Sequence, residues 1–294
     1  MSTRQNAWLL RVAWLTLPLT SGDAAAAAIR GWGDAPRAVA AVLLWSLWAV
    51  VLTATMIPRP QSLTITRLAT PLAFSVAVLV AISGHPVAAA SALACAATFV
   101  CWAFASLPWW GCACAQGAAY GDEERFPLKV PPALFLGILP LALFAVGVGV
   151  ALGPLLLADG HWVLGTIVVV LGFPAAILTV RAVHVLARRW VVLVPAGLVV
   201  ADPMTLADPV LFPRRRIEGL GPADPRKRPP AEAVDLRLGA AYGSLALLLD
   251  ADAEVFRRSG RTSRGVETHL LMFTPVLSRT VLEHAARRRL AVRS

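Results

Sequence analysis

Five long apolar runs set the terms on which this chain can fold. They cover Ala38–Ile57, Leu68–Ile82, Val87–Leu107, Ala133–Leu157 and Trp162–Leu186. A helix needs about 20 mostly apolar residues to cross the hydrocarbon of a bilayer, and all but the second run reach that length. Helix breakers close the first three, at Pro58-Arg59-Pro60, at Ser83-Gly84-His85-Pro86 and at Pro108. Trp109, Trp110 and Trp162 fall at run ends, where amphipathic rings prefer the membrane–water boundary. Composition agrees: 15% of residues are charged, against roughly 25% in soluble domains. The sequence therefore predicts an α-helical membrane bundle of about five transmembrane helices over residues 36–187.

Residues 1–35 are less apolar. Ala7–Leu17 carries Arg11, Pro18 follows, and Asp23 comes soon after. An Arg or Asp at the bilayer centre costs about 2.5–3.5 kcal/mol even on the lenient insertion scale. The expectation is an interfacial amphipathic segment followed by a short helix capped near Ser21, with a sixth crossing as the alternative. Lys and Arg in short loops set orientation. A cytoplasmic C-terminus gathers Arg59, Arg67, Arg125, Lys129, Arg181, Arg188 and Arg189 on the inner side, but leaves Arg4, Arg11, Arg30 and Arg37 outside when five helices cross.

The runs carry little chemistry. Arg67 and Arg181 lie near helix ends, His85 and His161 in connections, and His184 at the foot of the last run. Ion-coupled carriers place ionisable groups at depth and show repeated, broken helices. Neither pattern is present, which disfavours a transporter or channel subunit. Gly149-x-x-x-Gly153 offers a small-residue face, read as packing within the bundle, with a homo-oligomer contact as the alternative. Cys95, Cys101, Cys112 and Cys114 lack the spacing of a metal site, so no metal or cofactor is expected.

The last third changes character. Residues 188–294 hold 18 Lys and Arg against 11 Asp and Glu. "WVVLVPAGLVV" reads as a hairpin turning at Pro195-Ala196-Gly197. "PVLFPRRRI", "AVDLRLG", "GSLALLLD" and "ETHLLMFTP" follow as short strands between Pro- and Gly-rich turns, for about six antiparallel strands. "SRTVLEHAARRRLAV" closes the chain as an amphipathic helix with Ser278 as its N-cap. The prediction is a small antiparallel β domain closed by a C-terminal helix.

That strand order, and above all the hairpin with "PVLFPRRRIEGL", resembles the bacterial pleckstrin-homology-like domain. The whole chain also resembles a group of multi-pass membrane proteins of unassigned function from high-GC Gram-positive, actinobacterial species, on "AYGDEERFPL" and "VPAGLVVADPMTLADPVLFPRRRI". The resemblance implies a plasma-membrane location and a shared architecture, and it brings no catalytic residues.

Two groups stand out as candidates. One is the polar connection holding Tyr120, Asp122, Glu123, Glu124, Arg125 and Phe126. Its acids are expected to dock on domain arginines such as Arg188, Arg189 or Arg214. The other is the basic set Arg188, Arg189, Arg214, Arg215, Arg216, Arg226, Lys227 and Arg228, suited to an anionic lipid surface or a protein partner. Nucleic acid is excluded, since aromatics are not interleaved with these cations. No phosphate-binding loop, dinucleotide fingerprint, nucleophile elbow or H-E-x-x-H is present. The expected role is a non-enzymatic accessory or scaffold subunit of a cell-envelope complex that contacts membrane lipids and another membrane protein. A membrane-bound enzyme using the 118–130 loop on a lipid-linked substrate is the alternative.

Overall fold

The computed structural model describes residues 3–136, 138–260 and 262–293. The chain divides into two compact units, Met1–Cys114 with Leu139–His184, and Ala115–Ile138 with Val185–Ser294. The polar connection expected at the edge of the bundle therefore belongs to the β unit.

The helical unit opens with α1 (Thr3–Leu15) and α2 (Leu17–Ala28). Pro18 sits in the first turn of α2, where its missing N–H costs nothing, and Ser21 lies inside that helix and caps nothing. Ala7, Leu10, Trp14 and Leu17 are buried, and α1 packs on α3 (Asp34–Met56) and α5 (Ala88–Ser106). The Trp14 and Trp48 indoles each donate to the other's carbonyl, at 2.9 and 3.1 Å. Arg11 Nε donates to the Thr55 carbonyl at 2.9 Å, in the last turn of α3, where carbonyls have no intrahelical donor.

Five stretches are long and apolar enough to cross a membrane: α3, α4 (Pro60–Ile82), α5, the composite Pro132–Ala158, and α10 (Trp162–Leu186). The second of these begins at Pro60, well before Leu68. Its early polar residues are satisfied in the helix, because Thr64, Thr66 and Thr70 donate to the carbonyls of Pro60, Ser62 and Thr66. A hydroxyl that bonds back in this way can ride in an apolar helix. At 23 residues α4 is then long enough to span.

After α5 comes α6 (Pro108–Gln116). Trp110 of α6 is fully buried and donates to Thr66 Oγ1 at 2.8 Å. The fourth span is built of α7 (Pro132–Leu136), α8 (Ile138–Gly147), a π turn at Val148–Leu152, and α9 (Gly153–Ala158). Pro154 removes the donor that would reach back to Val150, and the helix widens at that point. Gly149 lies against the backbone of Gly172 in α10, and Gly153 against Val169. The small-residue face is therefore occupied within the unit.

The β unit holds two sheets. β1 (Glu124–Pro127), β2 (Trp190–Val194), β3 (Gly197–Ala201) and β4 (Val210–Pro213) form an antiparallel sheet in that order. Glu124 pairs with Leu193, and Pro127 with Trp190. Gly197, at φ +156°, leaves no room for a Cβ beside the Phe212 carbonyl. β5 (Ile217–Pro222), β6 (Val234–Asp235), β7 (Leu245–Ser259) and β8 (Thr262–Phe273) form the second sheet in the order β5-β7-β8-β6. Only β6 pairs in parallel among these. The chain closes with α11 (Ser278–Arg287), whose Val281 and Ala285 join Phe126, Leu193, Leu198, Leu220, Leu247 and Phe273 in one core. The N-cap of α11 is Leu277; the Ser278 hydroxyl instead donates to the Gly243 carbonyl.

Candidate functional site

β1 alternates its side chains between the two faces of its sheet. Phe126 is buried in the core of the unit and its ring meets the His284 ring edge-on, with centroids 5.3 Å apart. Glu124, two residues before it, accepts from His284 Nδ1 at 2.6 Å. His284 and Arg288 lie one turn apart at the C-terminal end of α11. Cationic groups there also complement the helix dipole. Arg288 Nη2 reaches Glu124 Oε1 at 3.5 Å, Asp122 Oδ1 at 3.2 Å and the Asp122 carbonyl at 3.0 Å.

The opposite face of β1 carries Arg125. Its guanidinium lies 4.9 Å from the centroid of Trp190, and its Nε and Nη2 donate to Glu123 Oε2 at 3.0 and 2.8 Å. That oxygen also accepts from the Tyr120 N–H at 3.3 Å. The Gln116 side chain grips the loop backbone twice, donating to the Glu123 carbonyl and accepting from the Arg125 N–H, both at 2.9 Å. Gly121, at φ +60°, makes the turn that brings these groups together.

Partial burial pushes the Glu124 carboxyl up, but the hydrogen bonds and charges of His284 and Arg288 outweigh it and hold the group below its usual range. Burial also pushes Glu123 up, and there the Arg125 bond, the Tyr120 N–H and the Arg125 charge prevail. Carboxylates held down in this way are poor proton acceptors near neutral pH, since an effective general base has a pKa close to the working pH. What the arrangement does well is anchor one segment to another.

Of the expected loop residues, Tyr120 is 86% exposed, while the acids are drawn into ion pairs. Their partners are His284, Arg288 and Arg125, and not Arg188, Arg189 or Arg214. The reason is visible at Arg189, which is 2% exposed and committed elsewhere. Its Nε and Nη2 donate to the two Asp202 carboxylate oxygens, each at 2.8 Å. The same guanidinium serves the carbonyls of Lys129 at 2.8 Å and Leu236 at 3.0 Å. Arg189 is thus a buried structural cation and is withdrawn from any contact surface.

Arg214 donates to the Pro195 carbonyl, and Arg216 to Asp250 and the carbonyls of Ala251 and Asp252. Arg188, Arg215, Arg226, Lys227 and Arg228 are exposed. Further exposed cations lie on the β7–β8 ribbon, where Arg257 stands directly opposite Arg264. Sequence reasoning did not pair the loop acids with His284 or Arg288. Their spacing by four in "EHAARRR", on a helix beginning at Ser278, was the only signal available. No family model matches the chain, and no curated protein or solved structure matches it.

Proposed function

We propose that this chain is a non-enzymatic integral membrane protein whose basic β unit engages an anionic surface, either on a protein partner in a cell-envelope complex or on lipid head groups. One observation carries the reading. The acids of the β unit are largely taken up internally, in pairs such as Asp202–Arg189, Glu124–His284, Asp235–Arg237 and Glu218–Arg293. Exposed Arg188, Arg215, Arg226, Lys227, Arg228, Arg258 and Arg264, by contrast, make no ion pair among the described residues. Each cation close to an anionic leaflet adds about 1 kcal/mol of attraction.

A cytoplasmic position for this unit is part of the proposal, supported by the Lys and Arg content of the short connections. So is a pleckstrin-homology-like character, supported by a four-stranded meander, a second sheet and a closing helix. Catalysis in the loop is set aside because its carboxylates are already committed to cations.

The test is affinity purification of the full-length protein from its native membranes, beside a variant carrying Arg226→Glu, Lys227→Glu and Arg228→Glu. A co-purifying protein lost from the variant supports the partner form. Loss of co-purifying anionic phospholipid supports the lipid form. An unchanged protein and lipid complement overturns both.

A further inference from the structure

We propose that the free edge of β8 takes up an extended segment of a protein partner as an added strand, with acidic residues beside Arg264. The proposal rests on the protein-partner form of the function given above, and it names the surface and the kind of segment that fits it.

The hydrogen bonds of the β7–β8 ribbon define this edge. The Ala207 N–H donates to the Phe256 carbonyl at 2.9 Å, and the Arg258 N–H to the Thr205 carbonyl at 2.8 Å. Phe256 and Arg258 therefore aim their backbone groups away from β8. In an antiparallel pair the residues opposite them do the same on the other side, so Gly265 and Ser263 point away from β7. Glu267, opposite Glu254, is in phase with them. β6 covers this side of β8 at Leu271 and Met272. From Ser263 to Glu267 the outward N–H and C=O groups have no partner among the described residues, and all three residues are exposed. The other edges are closed. Val292 bridges β5, Gln116 takes the Arg125 N–H of β1, and β4 is bounded by Pro209 and Pro213, which have no N–H to offer.

A row of alternating donors and acceptors is matched by another polypeptide strand; lipid phosphates only accept. Side chains then select the strand, because they alternate between the two faces. On one face Arg264 stands opposite Arg257, and like charges so placed repel. Neither arginine has an ion pair among the described residues, and Asp235, which feels the Arg257 charge, is held by Arg237. The other face carries Glu254, Glu267 and Phe256, with Phe256 Cε1 3.5 Å from where a Cβ on Gly265 would sit. An added strand fits when its acids fall on the arginine face and the residues between them are apolar, resting on the exposed Phe256 ring. A second copy of this chain does not fit. Paired antiparallel along the same edge, it would set Thr262, Arg264, Val266 or Thr268 beside Arg264, none of them acidic, and would crowd a second pair of arginines against the first.

Phage-displayed decapeptides are selected against the full-length protein in phosphatidylcholine nanodiscs, where no anionic lipid competes. Enriched peptides are expected to alternate acidic with apolar residues, and a synthetic copy of one serves as the probe for titration. Ser263→Pro removes an outward N–H and no bond of the ribbon. It should weaken the probe about tenfold, as loss of one hydrogen bond can, while Ser263→Ala leaves binding unchanged. Arg264→Glu should weaken the probe to a similar extent and should bind the same peptide once its acids are replaced by Lys.

Melting temperatures in detergent show which variants are folded; if Ser263→Pro is not, the charge exchange at Arg264 decides. Selection without acidic alternation, or binding indifferent to either folded variant, overturns the proposal. The purification from native membranes separates it from the broader function. A partner lost from both the variant altered at residues 226 to 228 and Ser263→Pro supports the added strand. A partner lost from the first but kept by Ser263→Pro overturns the added strand and leaves the broader function standing, and a partner kept by both overturns the two together.

Discussion

His284 Nδ1 lies 2.6 Å from Glu124 Oε2, and the two residues are 160 positions apart in the chain. This contact fastens the segment between two membrane helices to α11. Removing either partner leaves the other half-buried beside a vacant site. An unsatisfied group of this kind costs about 1–3 kcal/mol. His284→Ala is expected to lower the detergent melting temperature of the full-length protein, and Glu124→Lys, facing Arg288, to lower it further. Equal melting temperatures for wild type and both variants would show that the contact carries no stability.

The Arg189–Asp202 pair should be more costly to break. Both side chains are essentially removed from solvent, at 2% and 0% exposure. Losing one member of a buried pair typically costs about 3–5 kcal/mol, because an uncompensated charge remains. Asp202→Ala is expected to prevent accumulation of folded protein, measured as the monodisperse fraction in size-exclusion chromatography. Exposed Arg215→Ala, by contrast, should leave that fraction unchanged.

Acid should weaken the β unit in a definite direction. The Glu123, Glu124 and Asp235 carboxyls are each pushed up by burial and pulled down further by arginine, histidine or backbone partners, for a net lowering. A carboxyl whose folded pKa lies below its unfolded value adds stability above the unfolded value, near 4, and loses it as pH falls through the folded value. The contribution of these three groups should be constant above about pH 5 and should decline below about pH 4. Glu124→Gln should flatten part of that decline in melting temperature against pH. A steeper decline in the variant would contradict the assignment.

Close approach of α10 to the fourth span predicts intolerance at Gly149. A Cβ there would meet the Gly172 backbone, which cannot rotate away as a side chain would. Overpacking costs typically about 1–3 kcal/mol, and a backbone clash falls at the upper end. Gly149→Leu should reduce the yield of folded protein from membranes, whereas Gly160→Ala, in an open turn, should show the smaller strain of its positive φ alone. If both variants yield like wild type, the two helices do not pack as described.

How much of this was legible beforehand depended on how local the cause was. The five spans could be read because membrane length and apolarity are properties of a single segment. The β2–β3 hairpin was legible for the same reason, with its turn at Gly197. β1 was not, because "ERFP" becomes a strand only when β2, encoded after two further membrane helices, offers its edge. The outer end of the β7–β8 ribbon was equally opaque: Arg257, Arg258, Ser263 and Arg264 offer no apolar face, and their strand character comes from pairing with each other. At the candidate site, the acids themselves drew notice by their rarity. The distant partners of Asp122 and Glu124, His284 and Arg288, did not, because they lie far along the chain on and just after α11, while Arg189 is engaged with Asp202.

The strand supplied by the loop has a consequence for biosynthesis. Residues 124–127 leave the ribosome before the fourth and fifth membrane helices exist, and residues 190–194 only after both are made. At typical elongation rates the first strand waits several seconds for its partner. In that interval the two intervening helices must be delivered into the bilayer as a hairpin, returning the chain to the side it left, or the sheet cannot close. Membrane insertion thus becomes a checkpoint for folding of the water-exposed unit. Severing the chain at Arg188 to isolate the β unit would remove β1 and leave the backbone of β2 as an open edge.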